Sequence, residues 1–155
     1  MKRLKNQFLN LAAGELAAVV VFIFVSRLLN FGTAAWAAFS YLIFILLQGS
    51  MYWFYRYSLI RKKREVHPHV IRILSIARML NLIILVVIGL SAPFVRNSTG
   101  ELIIAAVIFL FGVVEYINYY WYRLSYGKSG FNIRLLLNKG LKKSSISKLI
   151  AREST

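Results

Sequence analysis

The sequence predicts an all-α fold: an integral membrane four-helix bundle of two antiparallel hairpins, both termini cytoplasmic, with a basic amphipathic C-terminal tail. Three observations carry that expectation. The 155 residues are 59% hydrophobic with a mean hydropathy of +0.63, above the roughly 45–50% apolar usage of soluble domains. Four apolar runs, at about 8–29, 32–55, 70–92 and 102–122, are each long enough to cross a hydrocarbon core of about 30 Å at 1.5 Å per residue. The net charge of +15 is also one-sided. With the amino terminus inside, the inner segments hold Lys2, Arg3 and Lys5, then Arg56, Arg61 to Arg64 and Arg72, then Arg123 and the basic residues of the tail. The outer turns hold only Arg27 and Arg96, with Arg78 left within a span. That is the positive-inside pattern of a multi-pass cell-membrane protein. Residues 1–126 form the four-span domain and residues 127–155 the tail.

Span one follows a basic start, as a signal peptide would, but it is about 22 residues long and runs straight into the next span, so it reads as a retained helix. It carries Glu15, with Ala12 and Ala18 on the same face, where small side chains allow close helix approach. The turn Asn30-Phe31-Gly32-Thr33 is short and makes spans one and two a hairpin. Span two opens on Ala34, Ala35, Ala37, Ala38 and Ser40. It ends in the aromatic cluster Tyr52 to Tyr55, which marks the inner interface. Its stripe Ser40, Phe44, Gln48, Tyr52 and Tyr55 is expected to face inward.

The segment from Arg56 to Arg72 reads as the one long connection between spans. His67-Pro68-His69 offers at most two imidazole ligands and no accompanying carboxylate or thiolate cluster, so it reads as a solvated turn rather than a metal site. Arg61, Lys62, Lys63 and Arg64 suit lipid head groups, as do Lys142 and Lys143 in the tail. Span three carries Ser75, Arg78 and Asn81 before turning uniformly apolar, with Pro93 expected to help end it. The turn Arg96-Asn97-Ser98-Thr99-Gly100-Glu101 closes a second hairpin. Span four holds Gly112, Glu115, Asn118, Tyr119 and Tyr122 on one inward stripe. Aligning Arg56 with Arg123 places Gln48 opposite Glu115 and Tyr52 opposite Tyr119, a weak parallel repeat of the kind some transporters show.

Beyond the hinge Gly127-Lys128-Ser129-Gly130, the tail alternates apolar and basic residues as short amphipathic helices broken at Gly140, suited to an anionic inner leaflet. No recognised nucleic-acid fold or aromatic platform accompanies the charge, so nucleic acid is not an expected partner. The expected partners are membrane lipids, above all anionic inner-leaflet lipids, and either a second copy of the chain or a membrane partner protein.

Counted from the cytoplasmic ends, Glu15, Gln48, Arg78 and Glu115 lie roughly 7 or 8 residues deep, about 10–12 Å by the helical rise. With Asn81, Asn118 and Tyr119 they form a candidate polar layer or ligand site, in which Arg78 is expected to pair with a glutamate because a lone charge is costly within a membrane. The absence of cysteine excludes thiolate chemistry and disulfides. No aspartate, no His within a span and no nucleophile beside a base are found, so no catalytic residue, metal or cofactor is expected. The leading expectation is a non-catalytic accessory or interaction subunit. The alternative is a small proton-coupled transporter of a cationic or lipid-like substrate that uses Glu15 and Glu115.

Overall fold

In the computed structural model, residues 2–29, 31–124 and 141–153 are described. The protein is all-α there: α1 (Lys2–Ser26), α2 (Thr33–Lys62), α3 (Pro68–Val95), α4 (Thr99–Tyr120) and a short α5 (Ser145–Glu153). The first four are long and apolar enough to cross a membrane, the make-up of a multi-pass membrane protein. The hinge and the first part of the tail lie outside the described residues.

Helix α2 is the centre of the bundle, with α1, α3 and α4 packed around it. Its sequence explains why. Small residues at Ala34, Ala35, Ala38 and Gly49 let neighbours approach, and large ones at Tyr41, Leu42, Ile45 and Leu46 fill the space between, all buried. An apolar helix without a polar face belongs in an interior or in lipid. The outer helices show the complementary pattern. In α1 the buried positions Ala12, Val19 and Ser26 repeat every seven residues, a single seam of the kind that faces one partner helix. In α3 only Asn81 and Leu85 are buried, while Ile73, Leu80, Ile83, Val87 and Leu90 are more than half exposed. Exposed apolar surface on this scale is unfavourable in water and neutral against acyl chains.

Two boundaries differ from the sequence expectation. Helix α2 runs on to Lys62, so the supposed long loop shrinks to the few residues before Pro68. No glycine or proline interrupts Arg56 to His67, and Arg61 and Lys62 in the last turn suit the negative end of the helix dipole. Lys63 ends the helix in the left-handed conformation, φ 52°. His67 is then the N-cap of α3, its Nδ1 accepting from His69 N at 3.3 Å, with Pro68 at the first helical position, where its missing N–H costs nothing. At the other end Pro93 lies inside α3, which continues to Val95.

A residue on α4 pins the start of α2. Glu101 is buried and its carboxylate accepts from Ala34 N at 2.9 Å and Asn97 N at 2.7 Å, while Ser98 caps α4 itself through Glu101 N at 3.1 Å. One carboxylate thus satisfies a free N–H in the first turn of a neighbouring helix and another just before its own. Gly32 is required beside it, since a Cβ there would fall on the Glu101 carboxylate. Ala34, Ala35 and Ala105 pack tightly beneath this cap.

After α4 the chain turns back. Tyr122 and Lys143 form an antiparallel bridge, with Arg123 N donating to Lys142 O and Ser144 N to Trp121 O, both at 2.9 Å. Ser144 caps α5 by accepting from Ser147 N at 3.0 Å. The apolar face of α5, Ile146 and Leu149, is buried in the same core as α2 and α4, against α3 and α4, whereas the sequence reading gave that face to a lipid surface.

Candidate functional site at the α1, α2, α4 and α5 junction

The seven residues of the expected polar layer separate into two groups, one on each side of α2. On the α3 side, Gln48 Oε1 accepts from Asn81 Nδ2 at 2.9 Å and from the Tyr120 hydroxyl at 3.0 Å. Asn81 also donates to Ala77 O at 2.7 Å, and the Tyr116 hydroxyl donates to Arg78 O at 3.2 Å. The Asn81 carbonyl oxygen has no partner. This network ties α2, α3 and α4 together through buried hydrogen bonds, which are favoured where water cannot compete.

Arg78 is not paired with a glutamate among the described residues. Its guanidinium lies over the Trp121 ring, 3.9 Å from the centroid, a cation–π contact just past the end of α4. The physical reason is the order of the helices: α3 faces the α2–α4 pair from the side away from α1, so Glu15 is beyond its reach. The expected inward stripes shift as well. Ser40 and Phe44 of α2 are exposed, Tyr41 and Ile45 take their place, and on α4 it is Tyr116 and Tyr120 rather than Tyr122 that are buried.

The other group lines a cavity of about 480 Å³. Helix α1 contributes Leu4, Phe8, Leu11 and Glu15, the i, i+4, i+7 and i+11 positions that share one face. Helix α2 adds Tyr52 and Trp53, α4 adds Asn118 and Tyr119, and Arg123, Lys142, Lys143 and Lys148 supply positive charge. Phe8 stacks on Trp53 with centroids 5.3 Å apart. Ser50 Oγ donates to Ala12 O at 3.1 Å, an approach of α1 to α2 that Ala12 permits. The Tyr52 hydroxyl is 2.5 Å from Ser145 Oγ and so fastens the start of α5 to the cavity wall.

Tyr119 is the central group. It is only 4% exposed, its ring lies where a Cβ on residue 49 would be, and its hydroxyl makes no hydrogen bond of ordinary length, the Glu15 carboxylate being placed to accept from it at longer range. Glu115 lies beside the cavity, its Oε2 accepting from Asn118 Nδ2 at 3.4 Å, and Leu124 N donates to Asn118 Oδ1 at 3.0 Å. A buried hydroxyl held only by so long an interaction has capacity for a second partner.

Arg61, Lys62, Lys63 and Arg64, the expected head-group residues, are exposed at the end of α2, away from the cavity lining. His67 and His69 stack with centroids 5.0 Å apart, and no group of metal-binding side chains occurs among the described residues. Tyr52 and Tyr119, opposite each other in the expected parallel repeat, both line this cavity, whereas Gln48 and Glu115 meet different partners, and past Tyr120 α4 stops where α2 continues. Sequence reasoning passed over Glu101, Tyr116 and Tyr120. The four-residue spacing of the two tyrosines, whose centroids are 5.5 Å apart, was the available sign that they share a face. Comparison with family models, curated proteins and solved structures gave no match.

Proposed function

We propose that the chain is a small multi-pass membrane protein of two antiparallel hairpins, with both termini cytoplasmic, and that it acts without catalysis by binding a lipid-like ligand in the cavity between α1, α2, α4 and α5. One observation carries this reading: the buried hydroxyl of Tyr119, which makes no hydrogen bond of ordinary length, lines a cavity that has a polar group on its α1 side, Glu15, aromatic walls and basic residues beside it. Polar head and apolar body are the two halves of a lipid. Few polar groups placed among apolar walls are also what small-molecule sites look like in general.

The test uses the absence of cysteine. A Leu11→Cys variant places one thiol on the cavity wall, and a Leu90→Cys variant places one on the exposed face of α3. Adding phospholipid to protein purified in detergent should slow maleimide labelling at position 11 far more than at position 90. Equal slowing at both, or none, refutes the reading. Impermeant labelling of cysteines at positions 98 and 128 from opposite sides tests the orientation.

A second reading, as an accessory subunit of a membrane complex, rests on α3. Its apolar face is open along most of its length, and a groove of about 450 Å³ runs between Leu82, Val86 and Leu90 of α3 and Phe109 and Val113 of α4. Photo-crosslinking from position 86 in native membranes tests it, a discrete protein adduct being the supporting result. Transport would add to binding the exchange of a proton or cation at Glu15 and Glu115.

A further inference from the structure

We propose, building on the lipid-binding reading above, that the cavity selects a head group carrying both a phosphate and a primary ammonium, that is, a phosphoethanolamine-type zwitterion. The cavity is divided by charge. On the α1 side stand Glu15 and the Tyr119 hydroxyl, both hydrogen-bond acceptors, and among the described residues Glu15 forms no ion pair. On the α5 side stand Lys143 and Lys148 together with the first turn of α5, a nine-residue helix whose amino end favours an anion. The spacing follows from the contacts of α2. Gly49 marks the level of Tyr119 and Tyr52 the level of Ser145. Three residues separate those levels, about 4.5 Å along the axis. Phosphorus and nitrogen in this head group are joined through one ester oxygen and two methylenes, so its two charges span a distance of that order.

The acceptors decide among head groups. A primary ammonium donates hydrogen bonds to Glu15 and Tyr119, and a choline head cannot, because its nitrogen has no proton to give. A glycerol head offers hydroxyls but no positive charge for the carboxylate. A serine head would bring its own carboxylate beside Glu15. The Tyr119 hydroxyl, buried with no hydrogen bond of ordinary length and with Glu15 placed to accept its proton, keeps its oxygen available to accept from a donor outside the protein.

The experiment uses the full chain, purified in a mild detergent and exchanged into nanodiscs holding equal amounts of ethanolamine, choline and glycerol phospholipids. Lipid retained after re-extraction is measured by native mass spectrometry. Ethanolamine lipid should be enriched about tenfold over choline lipid, the effect of one charge-assisted hydrogen bond. Glu15→Gln should abolish that preference while lipid is still retained. Tyr119→Phe, which keeps the ring against Gly49, should reduce it, and the Lys143→Gln/Lys148→Gln pair should weaken retention of all three. Retention without preference, or a preference for choline or glycerol lipid, overturns this proposal and leaves the lipid-binding reading intact. No retention above a single-span control protein overturns both. Free phosphoethanolamine releasing the lipid as effectively as lysophosphatidylethanolamine would uphold the head-group chemistry and overturn the membrane lipid as its source.

Discussion

Three glycines in the long helices should respond to alanine in an order set by the space around each. A Cβ at Gly14 meets nothing within 4 Å, one at Gly112 would lie 3.0 Å from Tyr41 Cδ1, and one at Gly49 would overlap the ring and hydroxyl of Tyr119. Replacing a mid-helix glycine by alanine gains about 1 kcal/mol in helix propensity, while an extra methyl in a packed interior costs about 1–3 kcal/mol. Gly14→Ala should therefore be neutral or stabilising, Gly112→Ala near neutral, and Gly49→Ala destabilising, with about 1–3 kcal/mol between the extremes, because the propensity gain is common to both and only the packing cost differs. Reversible unfolding in mixed detergent micelles, followed by far-ultraviolet circular dichroism, measures the series. A further variant isolates the cause: in a Tyr119→Ala background the penalty at position 49 should disappear, because the ring that opposes the methyl is gone. If Gly49→Ala unfolds like Gly14→Ala, or if its penalty survives in that background, the packing of α2 on α4 described above is wrong.

Three further outcomes test the remaining contacts. Gln48→Leu removes the shared acceptor of Asn81 and Tyr120 and should cost about 1–3 kcal/mol, from membrane hydrogen bonds averaging about 0.6 and reaching about 1.7 kcal/mol each; in that background Tyr120→Phe should cost nothing more, as a double-mutant cycle would report. Glu101→Gln leaves at most one accepting oxygen for Ala34 N and Asn97 N, so the melting temperature should fall and amide exchange at both residues should quicken, whereas unchanged exchange would deny Glu101 its capping role. Tyr52→Phe breaks the link to Ser145 and should weaken the docking of α5 by about 1 kcal/mol, seen as roughly fivefold faster protease cleavage within residues 145–153, with α1 to α4 unaffected.

The spans were legible because length and composition are summed over some twenty residues, and no single side chain decides them. The partners of the polar residues were not, for a geometrical reason. Depth along a helix can be counted from its end, but which neighbour a side chain reaches depends on the order of helices around the bundle, and nothing in the apolar runs announces that α2 is the central one. Gln48 therefore meets Asn81 and Tyr120 instead of Glu115, and Arg78 finds the face of Trp121, beyond the end of its neighbouring helix. Charge pairing was the natural first assumption for Arg78, yet an indole just past the end of α4 stabilises a guanidinium without the need to bury a carboxylate beside it. Glu101 was hidden in a turn that was read for its shortness. The pattern Ser98-x-x-Glu101 at the start of an apolar run is a capping signature, but the N–H on α2 that donates to Glu101 is 67 residues away and no local pattern reveals it.

The placement of these bonds also bears on how the proposed ligand would be held. Helix α4 is joined to α2 near both of its own ends, by Glu101 to Ala34 at the start of α2 and by Tyr120 to Gln48 at its middle, with Tyr119 seated on Gly49. Helix α1 is held to α2 by a seam of residues one heptad apart, by the hydrogen bond from Ser50 to the Ala12 carbonyl and by the Phe8–Trp53 stack, with edge-on contact of Phe22 and Phe111 of α4 at 5.7 Å. Stability within a protein follows buried apolar contact and hydrogen bonding locally, and α1 packs on α2 as closely as α4 does, so all three helices are fixed walls of the cavity. The residue that α1 brings to it is Glu15. A ligand of the kind proposed above would therefore meet two acceptors already held in place, the carboxylate by the packing of α1 on α2 and the Tyr119 hydroxyl by the seat of its ring on Gly49, and a loss of selectivity on changing either one would report chemistry rather than a moved helix.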